Sequence, residues 1–251
     1  ATNIQVAGVD EADIVKNDGK YIYTVSASQV IIVDAFPAES ARIVSNITEN
    51  GTINGIYVNE DRLIVFATEY GYYPGPLYET QAGAETGSSG VAVADVAVKE
   101  SFAAPYYYRS PKSIVHVYDI SDRSAPELER NMTISGSYSD SRMIGDYVYI
   151  ISSEPIRSYN SDYDDIVLPM VSVDGVATVA EVSDIRYFNT PDSAYNFVSI
   201  SALSLESGKA SSEVFMMGYT QTLYVSEENI YVTYQKSLGN RYYSDRLVEL
   251  Y

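Results

Sequence analysis

Cysteine and tryptophan are absent from this chain, and histidine occurs once, at position 116. Without cysteine there is no disulfide, no thiolate nucleophile and no cysteine-based zinc site. A single histidine rules out histidine-based metal centres within one chain. It also leaves His116 as the sole base for a Ser-His-Asp triad, and no Gly-x-Ser-x-Gly elbow accompanies it. Basic residues are scarce, 16 Lys and Arg against 34 Asp and Glu, for a formal charge of −18. The basic footprint that a nucleic-acid partner needs is therefore missing, and adsorption to anionic lipid is disfavoured. No apolar run reaches transmembrane length, so no direct membrane insertion is expected in this segment, and no Gly-rich phosphate cradle is present. No basic stretch followed by an apolar one opens the chain, and Ala1 is read as following a removed signal or an arbitrary cut.

What the chain does contain points to sheet. Apolar residues make up 46% of its 251 positions, a globular share. Tyrosine dominates the aromatics, 25 Tyr against 6 Phe. Tyr suits a pleated strand because its ring can be buried while its hydroxyl stays wet. Sequons at Asn46, Asn50 and Asn131 are candidate glycosylation sites and favour an extracellular or cell-surface location.

Short alternating β runs separated by turn residues fill the sequence, with scarcely any helical period. Ala12–Lys16, Lys20–Ser26, Gln29–Ala35 and Ala41–Ile47 make four strands within roughly 40 residues, the size of one propeller blade. The turn-and-strand unit Asp18-Gly19-Lys20-Tyr21-Ile22-Tyr23 recurs at Glu60-Asp61-Arg62-Leu63-Ile64-Val65, Gly145-Asp146-Tyr147-Val148-Tyr149 and Glu228-Asn229-Ile230-Tyr231. Aligning Tyr21 with Leu63 gives a period of 42 positions. The fold class expected is all-β: a single propeller segment over 1–251, built of four-stranded antiparallel blades. The blades are placed at 10–48, at 52–135 with an insertion over 70–112, at 137–217 with an insertion over 156–193, and as a partial fourth over 218–251. Both insertions read as loops, the rival being a blade apiece. About three complete blades and part of a fourth result, either a fragment of a larger propeller or a ring whose last blade borrows Ile4–Val9 as a strand.

The opening stretch Asn3-Ile4-Gln5-Val6-Ala7-Gly8-Val9-Asp10-Glu11-Ala12-Asp13-Ile14-Val15-Lys16-Asn17-Asp18-Gly19-Lys20-Tyr21-Ile22-Tyr23 resembles the signature of the secreted C-terminal β-propeller family of archaea and bacteria, distant kin of WD40 repeats. Stretches at 141–149, 183–188 and 222–232 resemble it too. The resemblance implies a propeller on an exported protein and carries over no activity.

Three groups of residues are candidates for function. Asp10, Glu11 and Asp13, with Asp18 nearby, are candidate Ca²⁺ ligands, since dense carboxylates supply the oxygens that ion wants. The competing reading has them capping turns or pairing with Arg between blades. Asn160, Asp162, Asp164 and Asp165 imitate half an EF-hand loop, but Ile166 stands where Gly is needed and a solvated acidic loop is preferred. Tyr72, Tyr73, Tyr106, Tyr107 and Tyr108, in the first insertion, are candidate ligand-binding residues, because exposed Tyr offers rigid amphipathic contact area. His116 alternates with Ile114 and Tyr118 and reads as a packed or hydrogen-bonded core residue. The functional expectation is a non-enzymatic extracellular binding or scaffolding module contacting a protein or an envelope glycan through its inserted loops, with self-association as a way to complete the propeller. Two alternatives stand beside it: a carbohydrate-active enzyme using paired carboxylates at the propeller mouth, and a structural surface-layer element.

Overall fold

A computed structural model describes residues 8–74, 107–156, 166–189, 195–218, 220–226 and 229–234. The strands are β1 (Val9–Glu11), β2 (Val15–Asn17), β3 (Tyr21–Ser26), β4 (Gln29–Asp34), β5 (Arg42–Thr48), β6 (Thr52–Asn59), β7 (Arg62–Pro74), β8 (Tyr107–Asp119) and β9 (Glu127–Ser135). They continue with β10 (Ser137–Ile144), β11 (Tyr147–Pro155), β12 (Met170–Val173), β13 (Val176–Val179), β14 (Arg186–Tyr187), β15 (Asn196–Ser204), β16 (Ala210–Met217), β17 (Thr220–Val225) and β18 (Ile230–Tyr234). They form four sheets. The first is the meander β2-β3-β4-β5, and the second has the order β6-β7-β8-β9-β12-β13 from its inner edge. The third runs β1-β10-β11-β15-β16-β14, and the fourth is the hairpin β17-β18.

Turn chemistry sets the repeat. In the first three sheets the leading turn residue, Gly19, Glu60 or Gly145, has a left-handed φ, of 96°, 52° and 54°. Such a turn matches the right-handed twist of the strands it joins. The residue after each turn's second position is then fixed by a recurring bond. Ala35 N–H donates to the Lys20 carbonyl at 3.0 Å, Ile120 to Asp61 at 2.8 Å, and Leu205 to Asp146 at 2.8 Å. Tyr21, Arg62 and Tyr147 therefore occupy the same place, and the Ser226–Asn229 bond, matching Asp18–Tyr21, adds Asn229 to the set. The alignment on Tyr21, Leu63, Tyr147 and Ile230 is thus out by one residue in the second and fourth sheets. Side-chain direction alternates along a strand, so one residue decides which face is meant.

Each sheet shields the next. The forward face of the first sheet (Tyr23, Val30, Ile32, Ile47) packs on the rear face of the second (Ile53, Ile56, Leu63, Val65). The second sheet's forward face (Tyr57, Ile64, Phe66, Val115, Val117, Met132, Ile134) meets Met143, Val148, Ile150 and Leu203 of the third. Ile151, Val198 and Met217 of the third sheet meet Ile230, Val232 and Tyr234 of the fourth. Both faces of β7 are covered, which is why Leu63-Ile64-Val65-Phe66-Ala67 is a continuous apolar run with every member buried. Each of the four larger side chains contributes roughly 2 kcal/mol by leaving water.

The segment after β11 differs from the sequence-based expectation. Residues 166–189 are neither a loop nor a separate blade. The hairpin β12-β13, turned by Asp174 and Gly175 at φ 49° and 85°, adds to the outer edge of the second sheet through Val171↔Ile134 and Ser172↔Thr133. β14 then lies parallel to β16 in the third sheet. The signal was present, because Val-Asp-Gly-Val is a strong hairpin sequence. Of the stretch Ile4–Val9 expected to complete the fourth sheet, only Gly8 and Val9 are described. β1 pairs with β10 of the third, Asp10 opposite Met143 and Glu11 opposite Arg142. Ile4 to Ala7, and the third strand expected over 245–251, lie outside the described residues.

Candidate functional site

Residues 8–17 run past the inner edges of three sheets in turn. Val9–Glu11 pairs with β10 of the third, Asp13 bridges Ile56 of β6 in the second, and Val15–Asn17 becomes the inner strand of the first. The bridge is reciprocal: Ile56 N–H donates to the Asp13 carbonyl at 2.9 Å, and Asp13 N–H to the Ile56 carbonyl at 3.4 Å. Gly55 makes the approach possible, since a Cβ there would stand 2.8 Å from the Ala12 Cβ, closer than real side chains come.

The acids of this segment face cations. Lys16, buried, donates to both carboxylate oxygens of Asp10 at 2.8 and 2.9 Å and to the Glu11 carbonyl at 2.7 Å. Its ammonium also lies 5.3 Å from the centre of the Tyr57 ring, a cation–π contact. Arg142, also buried, pairs with Glu11 at 3.5 Å and Asp140 at 2.6 Å. The Ser141 hydroxyl bridges Tyr57 and Tyr138 at 3.0 and 2.8 Å. Burial drives the Tyr57 phenol well above its ordinary pKa and pushes Tyr138 up to about 12, so both stay protonated and available as donors. The Asp13 carboxylate, by contrast, is exposed and accepts the Ile14 N–H at 2.7 Å. Of the three candidate metal ligands, Asp10 serves an ion pair between the third and first sheets, Glu11 a cross-strand pair within the third, and Asp13 accepts the N–H of the next residue. Among the described residues no three His, Asp or Glu side chains converge as a metal site would. The candidate loop around Asn160, Asp162, Asp164 and Asp165 lies outside the described residues.

Two further polar clusters tie the first sheet to the second. Arg123, in the turn after β8, reaches back to the Tyr23 hydroxyl at 3.2 Å, to the Glu60 carbonyl at 3.2 Å, and to Asp61 and Asp18. Burial alone would lower its pKa, but the bonds to Asp61 and Tyr23 outweigh that and raise it. Asp18 accepts the Tyr21 N–H at 2.7 Å and the Tyr23 hydroxyl at 2.8 Å. At the outer end, Glu49 is buried, with His116 Nδ1 at 2.8 Å and the Tyr118 hydroxyl donating at 2.9 Å. Nothing in the sequence brings Glu49 to His116, because the pairing depends on how two sheets stack. The expectation of a hydrogen-bonded His116 fits this geometry.

The candidate tyrosines fall on a ribbon. β6 follows β7 only as far as Thr68, and β9 follows β8 only back to Lys112. Beyond those limits β7 and β8 pair with each other alone, through Tyr70↔Pro111, Tyr72↔Arg109, Tyr73↔Tyr108 and Pro74↔Tyr107. The first insertion thus begins as a continuation of two strands, later than its expected start at 70, because alternating Tyr keeps the ladder going. Tyr106 lies outside the described residues.

The sequon residues Asn46, Asn50 and Asn131 are all exposed. Asn46 and Asn131 hold equivalent places, each opposite the third strand of its sheet, at Ile31 and at His116. A cleft of about 840 Å³ opens between the β12-β13 hairpin and β16, lined by Val171, Val173, Ser199, Ser212 and Val214. It continues the interface between the second and third sheets outward, where Ser and exposed Val replace the packed core.

A family model described as a beta propeller domain matches residues 1–248. An uncharacterised protein of Methanocaldococcus jannaschii is 25% identical over 248 residues, covering 96% of this chain and 30% of that protein. An uncharacterised protein of Archaeoglobus fulgidus is 23% identical over 249 residues, covering 93% of this chain and 32% of that protein. The chain thus spans about a third of the length of these curated relatives. No solved structure matches it.

Proposed function

The chain belongs to the beta propeller domain family, and on that premise we propose that it serves as a non-enzymatic binding and scaffolding module at the cell surface, contacting a protein or an envelope glycan through its inserted segments. One observation carries the reading. The β7-β8 ribbon runs past both neighbouring strands, from Tyr70↔Pro111 to Pro74↔Tyr107, and it bears Tyr70, Tyr72, Tyr73, Tyr107 and Tyr108. A two-stranded ribbon leaving its sheet is a projecting surface held by a rigid base, and Tyr-rich surfaces are strong contact formers at low entropy cost. The exposed sequon residues agree with an extracellular placement. The carbohydrate-active alternative needs two acids facing one opening, whereas Asp10 and Glu11 face Lys16 and Arg142.

The test replaces Tyr72, Tyr73, Tyr107 and Tyr108 together by alanine and compares capture of envelope proteins and of arrayed glycans with that of the parent chain. Loss of the captured partner by about tenfold or more is expected, as for aromatic hot spots generally. Unchanged capture by a variant with a native circular dichroism spectrum would refute the reading.

A further inference from the structure

The second and third sheets face each other, but their outer halves are unequal. Outside β9 the second sheet carries two further strands, β12 and β13. Outside β16, the counterpart of β9, the third sheet carries only β14, which pairs at Phe215 and Met216 alone. The forward face of the hairpin, with Val173 opposite Val176 and Val171 opposite Thr178, therefore looks past a strand edge. The cleft of about 840 Å³ lies between that face and Ala210, Ser212 and Val214. Val176, at its mouth, is 74% exposed. The edge itself is chemically open. Ser204 N–H donates to the Lys209 carbonyl at 2.9 Å, which sets the phase of the β15-β16 ladder. Ser211 and Glu213 then bond to β15, while Ala210 and Ser212 turn both N–H and C=O outward. Among the described residues no backbone bond meets Ala210 or Ser212 on that side. The crossover from β13 to β14 adds charge to the cleft. Arg186 pairs with Glu213 at 3.0 Å, which leaves Glu181 and Asp184 with no cation among the described residues.

We propose that this cleft takes an extended, basic segment of a partner protein as an added strand on the β16 edge, in line with β14. Strand addition draws affinity from main-chain bonds and specificity from alternate side chains. Packed sheets stand about 10 Å apart, so a strand added beside Ala210 and Ser212 faces the β12-β13 hairpin. Its inward side chains cover Val176 and Thr178, which suits β-branched residues, and a Lys or Arg among its neighbours meets Glu181 and Asp184. A second copy of this chain, at a formal charge of −18, is the poorer electrostatic match. None of the ribbon's tyrosines is among the described residues that line the cleft, so this site goes beyond the ribbon reading and is tested apart from it.

A phage-displayed library of random linear peptides is selected on the 251-residue chain. Fluorescence anisotropy then compares the enriched peptides on the parent, Ser212→Pro, Ser212→Ala and the double variant Glu181→Lys with Asp184→Lys. Enriched sequences are expected to alternate β-branched residues and to carry Lys or Arg. Ser212→Pro deletes an outward N–H and obstructs the edge, so binding falls about tenfold or more, whereas Ser212→Ala keeps that N–H and binds like the parent. Charge reversal at Glu181 and Asp184 weakens the basic peptides about tenfold. Proline is tolerated where an edge strand's N–H points away from its sheet, so circular dichroism stays native. Peptides N-methylated at alternate residues give the same readout on the unaltered chain, one of the two phases losing binding. Failure to enrich any peptide overturns the proposal, as does binding indifferent to both Ser212→Pro and N-methylation. Enrichment of acidic peptides overturns it too, and so does a dimer of the parent chain that Ser212→Pro dissolves, which would make a second copy the occupant.

Discussion

Replacing Asp10 by alanine will cost about 3 kcal/mol of folding free energy, because it strands a buried ammonium. Lys16 is 7% exposed and has as partners the two Asp10 oxygens and one backbone carbonyl. With the carboxylate gone, a single neutral acceptor and the Tyr57 ring remain, and water has little access. Desolvation of the charge, rather than loss of the pair's own attraction, sets the size of the effect. The double variant Asp10→Leu with Lys16→Met removes both charges and will recover most of the loss, as buried pairs exchanged for apolar side chains often do. Urea unfolding of the parent, the two single variants and the double variant closes the cycle. A cost for Asp10→Ala under about 0.5 kcal/mol, the scale of a surface pair, would mean that the segment is not packed as described.

Asp18→Asn will cost about 2 kcal/mol at pH 7, the scale of hydrogen bonds to a charged group, and the cost will vanish in acid. Burial raises the Asp18 pKa, but the Tyr21 N–H, the Tyr23 hydroxyl, the Lys20 N–H and the Arg123 charge together outweigh it. They hold the carboxyl below its ordinary value of 3.8. A folded pKa below the unfolded one means that stability from this group is fully present above 3.8 and lost as pH falls through the lower folded value. The parent and Asp18→Asn curves of stability against pH should therefore run apart near neutrality and converge at the acid end. Parallel curves down to the lowest accessible pH would show that Asp18 does not carry the charge linking Arg123 to the first sheet.

The sheet class and the turn-strand repeat were legible in the sequence because they rest on local chemistry. Gly19, Glu60 and Gly145 mark turns whatever surrounds them. Registry was harder. Leu63 resembles Tyr21 in hydrophobicity more than Arg62 does, so pattern alone slid the alignment by one residue. Only the recurring backbone bond after the third strand corrects it. The β12-β13 hairpin was locally readable from Asp174-Gly175, but its docking on β9 was not. That contact depends on a chain leaving one sheet and joining the edge of its neighbour. The polar site was half legible. Sequence density singled out Asp10 and Glu11, yet Lys16 and Arg142 are what define their use, and Arg142 lies 131 positions from Glu11. The pairing of Glu49 with His116 was illegible for the same reason, being made by stacking.

Native-state hydrogen exchange at the Ile56 amide tests the core of the account most directly. That N–H, on the inner edge of the second sheet, donates to Asp13 at 2.9 Å. It will exchange as slowly as the interior amides of β7, through global unfolding alone, if the opening segment stitches three sheets together. Rapid exchange there, beside protected β7 amides, would show that residues 8–17 lie free of the second sheet.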